Sequence, residues 1–318
     1  MNAVSSTLRD RVVGCVLGLA LGDALGAPFE FRRAHDVPWP VPALDLQWMG
    51  LPPGSTTDDT AMAMNLVRSL ADLGSLDAGD VVRRHLEWFA SDPPDVGNLT
   101  RRVLARAAGG VPAPAAARAV WEERGPEVSA GNGSVMYCSP LGAAYAGRRD
   151  ALLEAAPRLS AITHHDERCR TAVLAVTLAV AALVRGEGSA RALEDAVGTT
   201  IGLAGGEELE FLVGAAGTAR PVDGPDQGFV LFTAGLGLQA VARTAEGPAV
   251  TVTDVERELR RVVSLGGDTD TNAAVAGALL GAAAGAANLP RDWLGRLRGR
   301  NEIEREAERL VPLAGRER

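Results

Sequence analysis

The chain has 318 residues, a length that fits one large domain or two, and its net charge of −8 argues against a partner held through nucleic-acid phosphates. Hydrophobic residues make up 47% of the chain but aromatic residues only 4%, so the core must consist largely of Ala, Leu, Val and Gly. Such a composition suits closely packed helices, and since no linker divides the chain we predict a single domain over residues 1–318.

Cysteine usage and the lengths of the apolar runs indicate the cellular compartment. Cys15, Cys138 and Cys169 are widely spaced and form neither a CxxC pair nor a disulfide pattern. The first residues lack the basic flank and apolar core of a signal peptide. The apolar runs 171–184 and 273–287 are shorter than the ~20 residues that span a bilayer. We therefore expect a cytoplasmic protein without a membrane partner, in which these runs are buried helices.

The first predicted helix, residues 8–25, carries a glycine every four residues. Gly14, Gly18, Gly22 and then Gly26 fall on one face of a helix with 3.6 residues per turn. Glycine costs about 1 kcal/mol at each interior helix position, so a stripe of it predicts that another backbone comes very close. Charged residues and the short apolar length disfavour the alternative, a membrane dimer. We expect a central helix.

A loop carrying Glu30 follows, and it leads into an irregular, proline-rich segment. Glu30 taken alone reads as a solvated acid. Residues 35–53 contain five prolines and two tryptophans, and we predict that they form a loop over the mouth of a site. Next comes the run 54–60, Gly-Ser-Thr-Thr-Asp-Asp-Thr, which opens the predicted helix 62–73.

Two further loops contain residues suited to binding. Between the predicted helices 80–90 and 100–108, Asp95 lies in a proline-stiffened turn, where it either caps the next helix or faces a cavity. Residues 129–137, before the predicted helix 140–146, alternate glycine with small polar residues. Such a loop can aim backbone N–H groups at a phosphate, although many glycine loops are plain turns.

The remaining polar motifs precede the predicted helices 171–184, 229–241 and 273–287. His164, His165 and Asp166 invite a metal phosphohydrolase reading, but that chemistry needs more histidines than the four in the chain. His164 is better read as a hydrogen-bonding group at a helix start. The predicted helix 254–265 delivers the run 266–272, Gly-Gly-Asp-Thr-Asp-Thr-Asn. The charged tail 301–318 reads as a solvated helical face.

The runs 54–60 and 266–272 share one sequence pattern, with paired aspartates and threonines at the start of an alanine-rich helix. For the run 266–272 alone, helix capping is slightly favoured over metal binding. Together they look like two halves of one site, because crowded carboxylates repel unless a hard cation binds them. Four carboxylates and two hydroxyls are enough for two octahedral ions about 3.5–4 Å apart. The pairing favours metal binding over capping.

These motifs, taken in order, resemble the ADP-ribosylglycohydrolase family, which includes the dinitrogenase reductase-activating glycohydrolase and the ADP-ribosylarginine hydrolases. The matching stretches run through nearly the whole chain: 18–30 (GLALGDALGAPFE), 57–63 (TDDTAMA), 94–98 (PDVGN), 131–136 (GNGSVM), 163–164 (TH) and 266–282 (GGDTDTNAAVAGALLGA). The resemblance implies a compact all-α fold, a single-domain orthogonal helical bundle, with two Mg²⁺ or Mn²⁺ ions. It also implies hydrolysis of the bond between C1 of ADP-ribose and an acceptor.

Carried over by position, the resemblance also assigns residues. The implied metal ligands are Thr57, Asp58, Asp59, Asp268, Asp270 and Thr271. The implied contacts to the diphosphate are Gly131, Asn132, Gly133 and Ser134, and other implied substrate contacts are Met136, His164 and Phe229. Asp95 matches the base of arginine-specific members, and Glu30 is the rival base. Three departures concern acceptor specificity: Tyr137 in place of a frequent Arg, Phe232 in place of Glu, and Phe229 in place of Tyr.

The presence of Asp95 favours N-linked ADP-ribosylarginine on protein as the substrate. Alternatives with the same chemistry are O-linked ADP-ribosylserine, ADP-ribose 1″-phosphate, O-acetyl-ADP-ribose and an ADP-ribosylated nucleic-acid base. A hypothesis of another class is a non-catalytic ADP-ribose binder or a crystallin-like protein. Beyond an ADP-ribosylated protein or small ADP-ribose derivative we expect no partner, and we expect a monomer.

Overall fold

The computed structural model describes residues 3–205, 221–245, 247 and 249–316. The described residues are mostly helical, which confirms the predicted all-α class. The first eight helices are α1 Ala3–Gly26, α2 Asp58–Leu73, α3 Ala78–Phe89, α4 Asn98–Ala108, α5 Ala113–Arg124, α6 Ser139–Ala144, α7 Arg149–Ser160 and α8 Glu167–Arg185. They are followed by α9 Ser189–Ala204, α10 Val230–Ala242, α11 Val252–Ser264, α12 Thr269–Ala284, α13 Arg291–Arg296, α14 Arg300–Glu308 and α15 Val311–Ala314.

The glycine stripe of α1 packs directly against α12, with the two helices antiparallel. A Cβ added at Gly18 would lie 2.1 Å from the carbonyl oxygen of Gly277, and one added at Gly22 would lie 1.8 Å from that of Ala273. The contact is reciprocal, since a Cβ on Gly277 would lie 2.1 Å from the oxygen of Gly18. The predicted close approach of a second backbone is therefore confirmed, and α12 is the partner.

This helix pair forms the centre of the core and also fixes the position of the site. α8, α10 and α11 pack around α12, and nearly every residue of α12 is buried. Because α1 and α12 run antiparallel, the C-terminal end of α1 lies beside the N-terminal end of α12. There the strands β1 (Arg32–Arg33) and β2 (Gly266–Gly267) pair in an antiparallel register. Glu30 lies two residues before β1, and Asp268 comes directly after β2. The pairing of the two strands therefore brings these two carboxyl groups close together.

We expect Gly277→Ala to destabilise the protein, because the added methyl group meets the backbone of α1, which cannot move aside without disturbing three turns of contact. Overpacking of this kind costs about 1–3 kcal/mol. Gly198→Ala is the matched control, since a Cβ on this exposed glycine of α9 has nothing within 4 Å and alanine favours a helix by about 1 kcal/mol. Urea denaturation of both variants measures the difference. Equal stability of the two would refute the packing argument.

Besides the short α13, three helices were not predicted from the sequence: α5, α7 and α9. Each mixes small, polar and charged residues without a long apolar run, and α7 contains Pro157. Their buried positions are filled mainly by alanine and a few leucines and valines, as in α7, where Leu152 and Leu159 are buried. Burial of such small side chains is decided by neighbouring helices rather than by a strong pattern within the segment.

Two further expectations need correction. Residues 35–53 do not cover the site, because they pack along α13 and none of them lines the acidic cavity described below. Trp48 of this segment contacts the edge of the site, through a hydrogen bond to the Glu30 side chain. Among the described residues, Thr7–Phe29, which includes most of α1, is long and apolar enough to cross a membrane by length and composition. Its apolar window is 94% buried inside the protein, as expected of a core helix.

Candidate metal centre and substrate cavity

The two Asp/Thr runs meet at the N-terminal ends of α2 and α12. The Thr271 hydroxyl donates a hydrogen bond to Oδ2 of Asp59 at 3.3 Å, although 212 residues separate them in sequence. The Thr57 hydroxyl donates to the same oxygen at 3.2 Å. All three side chains are buried. The fold therefore brings the two runs together, as their shared sequence pattern indicated.

Asp23 of α1 holds the start of α2 in place. Its carboxylate accepts hydrogen bonds from the backbone N–H groups of Thr57 and Thr60 at 3.0–3.1 Å and from the Thr60 hydroxyl. The side chain is fully buried. Sequence reasoning gave Asp23 no role in the site, although an aspartate in an otherwise apolar helix was a signal that could have identified it.

The turn containing Asp95 joins the same place. The Gly97 N–H donates to Oδ2 of Asp58 at 3.0 Å, and the Asp58 and Asp95 carboxyl groups share a hydrogen bond. Burial raises the pKa of Asp95, while the hydrogen bond from Asp58 acts in the opposite direction. Asp95 is half-buried and lines the cavity, so the alternative in which it faces a cavity is the one observed.

The acidic groups are strongly perturbed by one another. Burial, followed by the neighbouring carboxylates, raises the pKa of Asp58, Asp59 and Asp270 well above the ordinary range. The pKa of Glu30 rises to about 8, first through burial and then through the charges of Asp95 and Asp268. So many carboxylates in one buried site repel each other unless protons or a cation neutralise them.

The donor set fits a hard divalent cation. Glu30, Asp268 and Asp270 each offer a carboxylate oxygen within 4.8 Å of the other two. Oδ1 of Asp59 and Oδ1 of Asp270 are buried and have no hydrogen-bond partner among the described residues. Unpartnered buried carboxylate oxygens are costly, and a cation with oxygen ligands would satisfy them. The acidic cluster is therefore suited to metal binding.

A cavity of about 520 Å³ opens beside the acidic cluster. Its lining includes the acidic residues Glu30, Asp58, Asp95, Asp268 and Asp270, together with Thr271. The rest of the lining includes Gly131, Asn132, Gly133, Met136, His164 and Phe229. Thr57, Asp59 and Ser134, which the sequence also singled out, are buried and do not line it. Rim residues that sequence reasoning missed are Phe31, Arg124, Glu127 and Asp226.

The loop of residues 129–137, the glycine loop, is held by backbone hydrogen bonds to the segment before α10 and to its first residue. The Asn132 N–H donates to the Gly228 carbonyl and the Val230 N–H donates to that of Ala130, both at 3.0 Å. The Asn132 side chain donates to Oδ2 of Asp268 at 3.0 Å, so it connects the loop to the acidic cluster. The Ser134 hydroxyl is buried beneath the loop, where it accepts a hydrogen bond from Ser160 at 3.2 Å.

The three aromatic residues that differ from the family pattern lie at different depths in the protein. Phe229 lines the cavity, and Phe232 packs edge-on against it with ring centroids 5.3 Å apart. Tyr137 is fully buried. His164 is also buried, and burial lowers its pKa to about 4, so its ring is neutral at neutral pH. Its position on the cavity wall agrees with its reading as a hydrogen-bonding group before α8.

The ADP-ribosylglycohydrolase family profile matches residues 4–318. The chain is 32% identical to the ADP-ribosyl-[dinitrogen reductase] glycohydrolase of Rhodospirillum rubrum, covering 97% of this chain and 98% of that protein. It is 30% identical to the ADP-ribosylhydrolase ARH3 of Bos taurus, over 94% and 92% of the two chains. A solved ADP-ribosylglycohydrolase-related protein complex matches with a TM-score of 0.77 and 33% identity, over 97% and 99% of the chains.

Proposed function

The chain belongs to the ADP-ribosylglycohydrolase family, whose members remove ADP-ribose from modified acceptors, and we propose that it hydrolyses N-linked ADP-ribosylarginine on protein with two divalent cations. Mg²⁺ and Mn²⁺ are the candidate ions. One observation carries the proposal: the carboxylates of two distant runs meet Glu30 and Asp95 beside a cavity that the glycine loop also lines.

The chemistry of the cavity wall supports a cationic acceptor such as arginine. Glu30, Asp95 and Asp58 give this part of the wall an excess of carboxylates. Phe31 lies next to them, with its side chain 60% exposed and its φ at 61°, a value that is strained for a bulky residue. Its N–H holds this conformation by donating to the Gly267 carbonyl at 2.7 Å. Carboxylates beside an exposed aromatic face suit a guanidinium group better than a serine hydroxyl.

Some residues of the site would hold the metal ions, and one would transfer a proton. Asp58, Asp59, Asp268, Asp270, Thr57 and Thr271 would hold the ions. Bound divalent cations supply positive charge that orients ribose hydroxyls and lowers the pKa of a water molecule. Glu30 lies among the ligand carboxylates, whereas Asp95 lies at the rim of the group, on the turn. Asp95 therefore takes a proton from the attacking water as the water oxygen bonds to C1 and the C1–N bond breaks through an oxocarbenium-like state. The electron pair of that bond goes to the guanidine nitrogen, which takes up the proton from Asp95, so that arginine leaves as guanidinium.

A hydrolysis panel tests the proposal. Peptides carrying ADP-ribose on arginine or on serine, together with ADP-ribose 1″-phosphate and O-acetyl-ADP-ribose, are incubated with Mg²⁺, Mn²⁺ or a chelator, and free ADP-ribose is measured by mass spectrometry. We expect release from the arginine-linked peptide, loss of release with chelator, and restoration by added metal. In the same panel Phe31→Ala should raise KM for the arginine-linked peptide severalfold without changing affinity for free ADP-ribose.

Each other result points to a different function. Release from serine alone would exclude arginine as the acceptor, but the proposed metal site would not be affected. Tight ADP-ribose binding without turnover in saturating Mn²⁺ would make the protein a binder. Unchanged release in the presence of chelator would contradict the role given to the acidic cluster.

A further inference from the structure

We propose that Asn132 positions the carboxylate of Asp268 for metal binding and does not bind the diphosphate of ADP-ribose, the role that the resemblance implies for it. Thr233, a fully buried residue of α10, holds Asn132 in this position. The role of Asp268 as a metal ligand rests on the proposed function, whereas the hydrogen count that assigns Asn132 rests only on the contacts of these side chains. Asn132 and Thr233 are positioning residues, because both act on the metal through Asp268.

Every hydrogen-bond donor of Asn132 already has an acceptor within the protein. The backbone N–H donates to the Gly228 carbonyl at 3.0 Å. The side-chain nitrogen Nδ2 lies 3.0 Å from Oγ1 of Thr233 and 3.0 Å from Oδ2 of Asp268, so each of its two hydrogens has one acceptor. Phosphate oxygens are acceptors and bind to donors. Asn132 has no donor left, so an anion on the glycine loop must use the backbone of other residues.

The Asp268 carboxylate determines which end of the Asn132 amide faces it. A carboxylate accepts hydrogen bonds, and the amide oxygen of Asn132 in the place of Nδ2 would repel Oδ2 of Asp268 at this distance. The amide nitrogen therefore faces Asp268. Both side chains lie at the cavity wall with only 8% of their surface exposed. A hydrogen bond to a charged group is strong in such a shielded place.

Thr233 is the second anchor of the Asn132 amide. The Thr233 hydroxyl donates its one hydrogen to Oδ1 of Asn272 at 2.7 Å, so toward Asn132 its oxygen can only accept. The terminal torsion of asparagine is broad, and two anchors restrict it more than one does. A valine at position 233 would place a methyl group against one amide hydrogen. The amide could then satisfy that hydrogen only by rotating toward the cavity, which takes it away from Asp268.

The bond from Asn132 acts on a carboxylate of the acidic cluster. Asp268 offers an oxygen within 4.8 Å of carboxylate oxygens of Glu30 and Asp270. Because like charges at this distance repel, an Asp268 side chain that loses the bond is freer to turn away from the other two. A donor to Oδ2 keeps the carboxylate in the orientation in which all three groups face one place. Hydrogen-bond partners of metal ligands change metal affinity by about 10–100-fold.

The test measures metal binding and ADP-ribose binding separately, by calorimetry. Asn132→Ala should raise the Kd for Mn²⁺, measured without ADP-ribose, by about 10–100-fold. The Kd for ADP-ribose in the presence of chelator should stay unchanged, since alanine keeps the backbone N–H that donates to Gly228. A contact to the diphosphate predicts the reverse, with weaker ADP-ribose binding and an unchanged Kd for Mn²⁺. An unchanged Kd for Mn²⁺ would overturn the proposal.

Variants of Thr233 test the second anchor. Thr233→Val should raise the Kd for Mn²⁺ by a smaller factor than Asn132→Ala, and Thr233→Ser, which keeps the hydroxyl, should retain the wild-type Kd. Thr177→Val is the matched control, because this fully buried threonine of α8 donates only to carbonyl groups of its own helix. It should lower the Tm as a buried hydroxyl deletion does, but leave the Kd for Mn²⁺ unchanged.

The outcomes separate this inference from the proposed function. If Asn132→Ala does not fold, equal Kd values for Mn²⁺ in Thr233→Val and Thr233→Ser overturn the inference. A wild-type protein that does not bind Mn²⁺ would overturn the proposed metal site and this inference with it. A wild-type protein that binds Mn²⁺ no more tightly than Asn132→Ala would overturn this inference alone.

Discussion

Asp270→Asn is expected to abolish turnover and metal binding together, while it makes the metal-free protein more stable. Asp270 is buried, its Oδ1 has no hydrogen-bond partner among the described residues, and burial and the neighbouring carboxylates raise its pKa. Removing its charge removes a ligand and also relieves repulsion. We expect a loss of at least about 10³-fold in kcat/KM, of the kind seen when a principal charge-stabilising group is removed.

Thermal unfolding, with and without Mn²⁺, measures the stability half of this prediction. The wild-type Tm should rise on adding Mn²⁺, because an ion that binds only the folded state stabilises it. The Tm of metal-free Asp270→Asn should exceed that of the metal-free wild type by roughly 2–4 °C for each kcal/mol of relieved repulsion, and should not respond to Mn²⁺. Asp150→Asn, on the exposed start of α7, is the control and should behave as wild type. A fully active Asp270→Asn enzyme would contradict the metal assignment.

The Tm of the metal-free protein should also depend on pH, in a direction that the pKa of Glu30 determines. The pKa of Glu30 is raised from 4.5 to about 8 in the folded protein, so between these values the folded state holds a proton that the unfolded chain has released. Its contribution to stability is complete below about pH 4.5 and is lost as the pH rises through 8. The Tm of the metal-free protein should therefore fall over this window, and Mn²⁺ should stabilise most at its upper end.

Asp95→Asn is expected to lower kcat/KM for the arginine-linked peptide by about 10²–10⁴-fold, the usual contribution of a general base. Asparagine keeps the size of the side chain but cannot accept a proton. Metal-induced stabilisation should persist, because Asp95 is not among the proposed ligands. The Tm shift with Mn²⁺ therefore separates this variant from Asp270→Asn.

Two comparisons sharpen the assignment of the base. Asp92→Asn changes an exposed aspartate on the same turn whose φ of 52° asparagine also tolerates, and it should retain activity. Glu30→Gln should weaken metal-induced stabilisation, since Glu30 lies beside Asp268 and Asp270. If Asp95→Asn keeps its activity and Glu30→Gln loses it with normal metal response, the base is Glu30.

Local sequence was sufficient for elements that have a strong internal pattern. The glycine stripe of α1 predicted a close backbone partner, since nothing else compensates for four glycines in a helix. Repeated Asp/Thr runs before alanine-rich helices predicted the two halves of the acidic site. By contrast, α5, α7 and α9 escaped prediction because their burial depends on which neighbours cover them.

The site residues that were missed have the same explanation. Asp23 serves the acidic cluster only because α1 passes beside the start of α2, and the sequence distance between them gives no sign of that contact. Phe31 reaches the cavity only because β1 pairs with β2. The segment 35–53 was expected over the site from its irregular composition, but its contacts with α13 place it elsewhere.

By itself the sequence determined the helical class, the family resemblance and the chemical types in the site, because these depend on residue identity and spacing along the chain. Tertiary structure alone decided which oxygens lie within 4.8 Å of one another, which carboxylates lack partners and how far burial raises their pKa values. The physical reason is that electrostatic energy depends on distance and solvent exposure. Both are set by the antiparallel contact of α1 with α12, which joins residues more than two hundred positions apart.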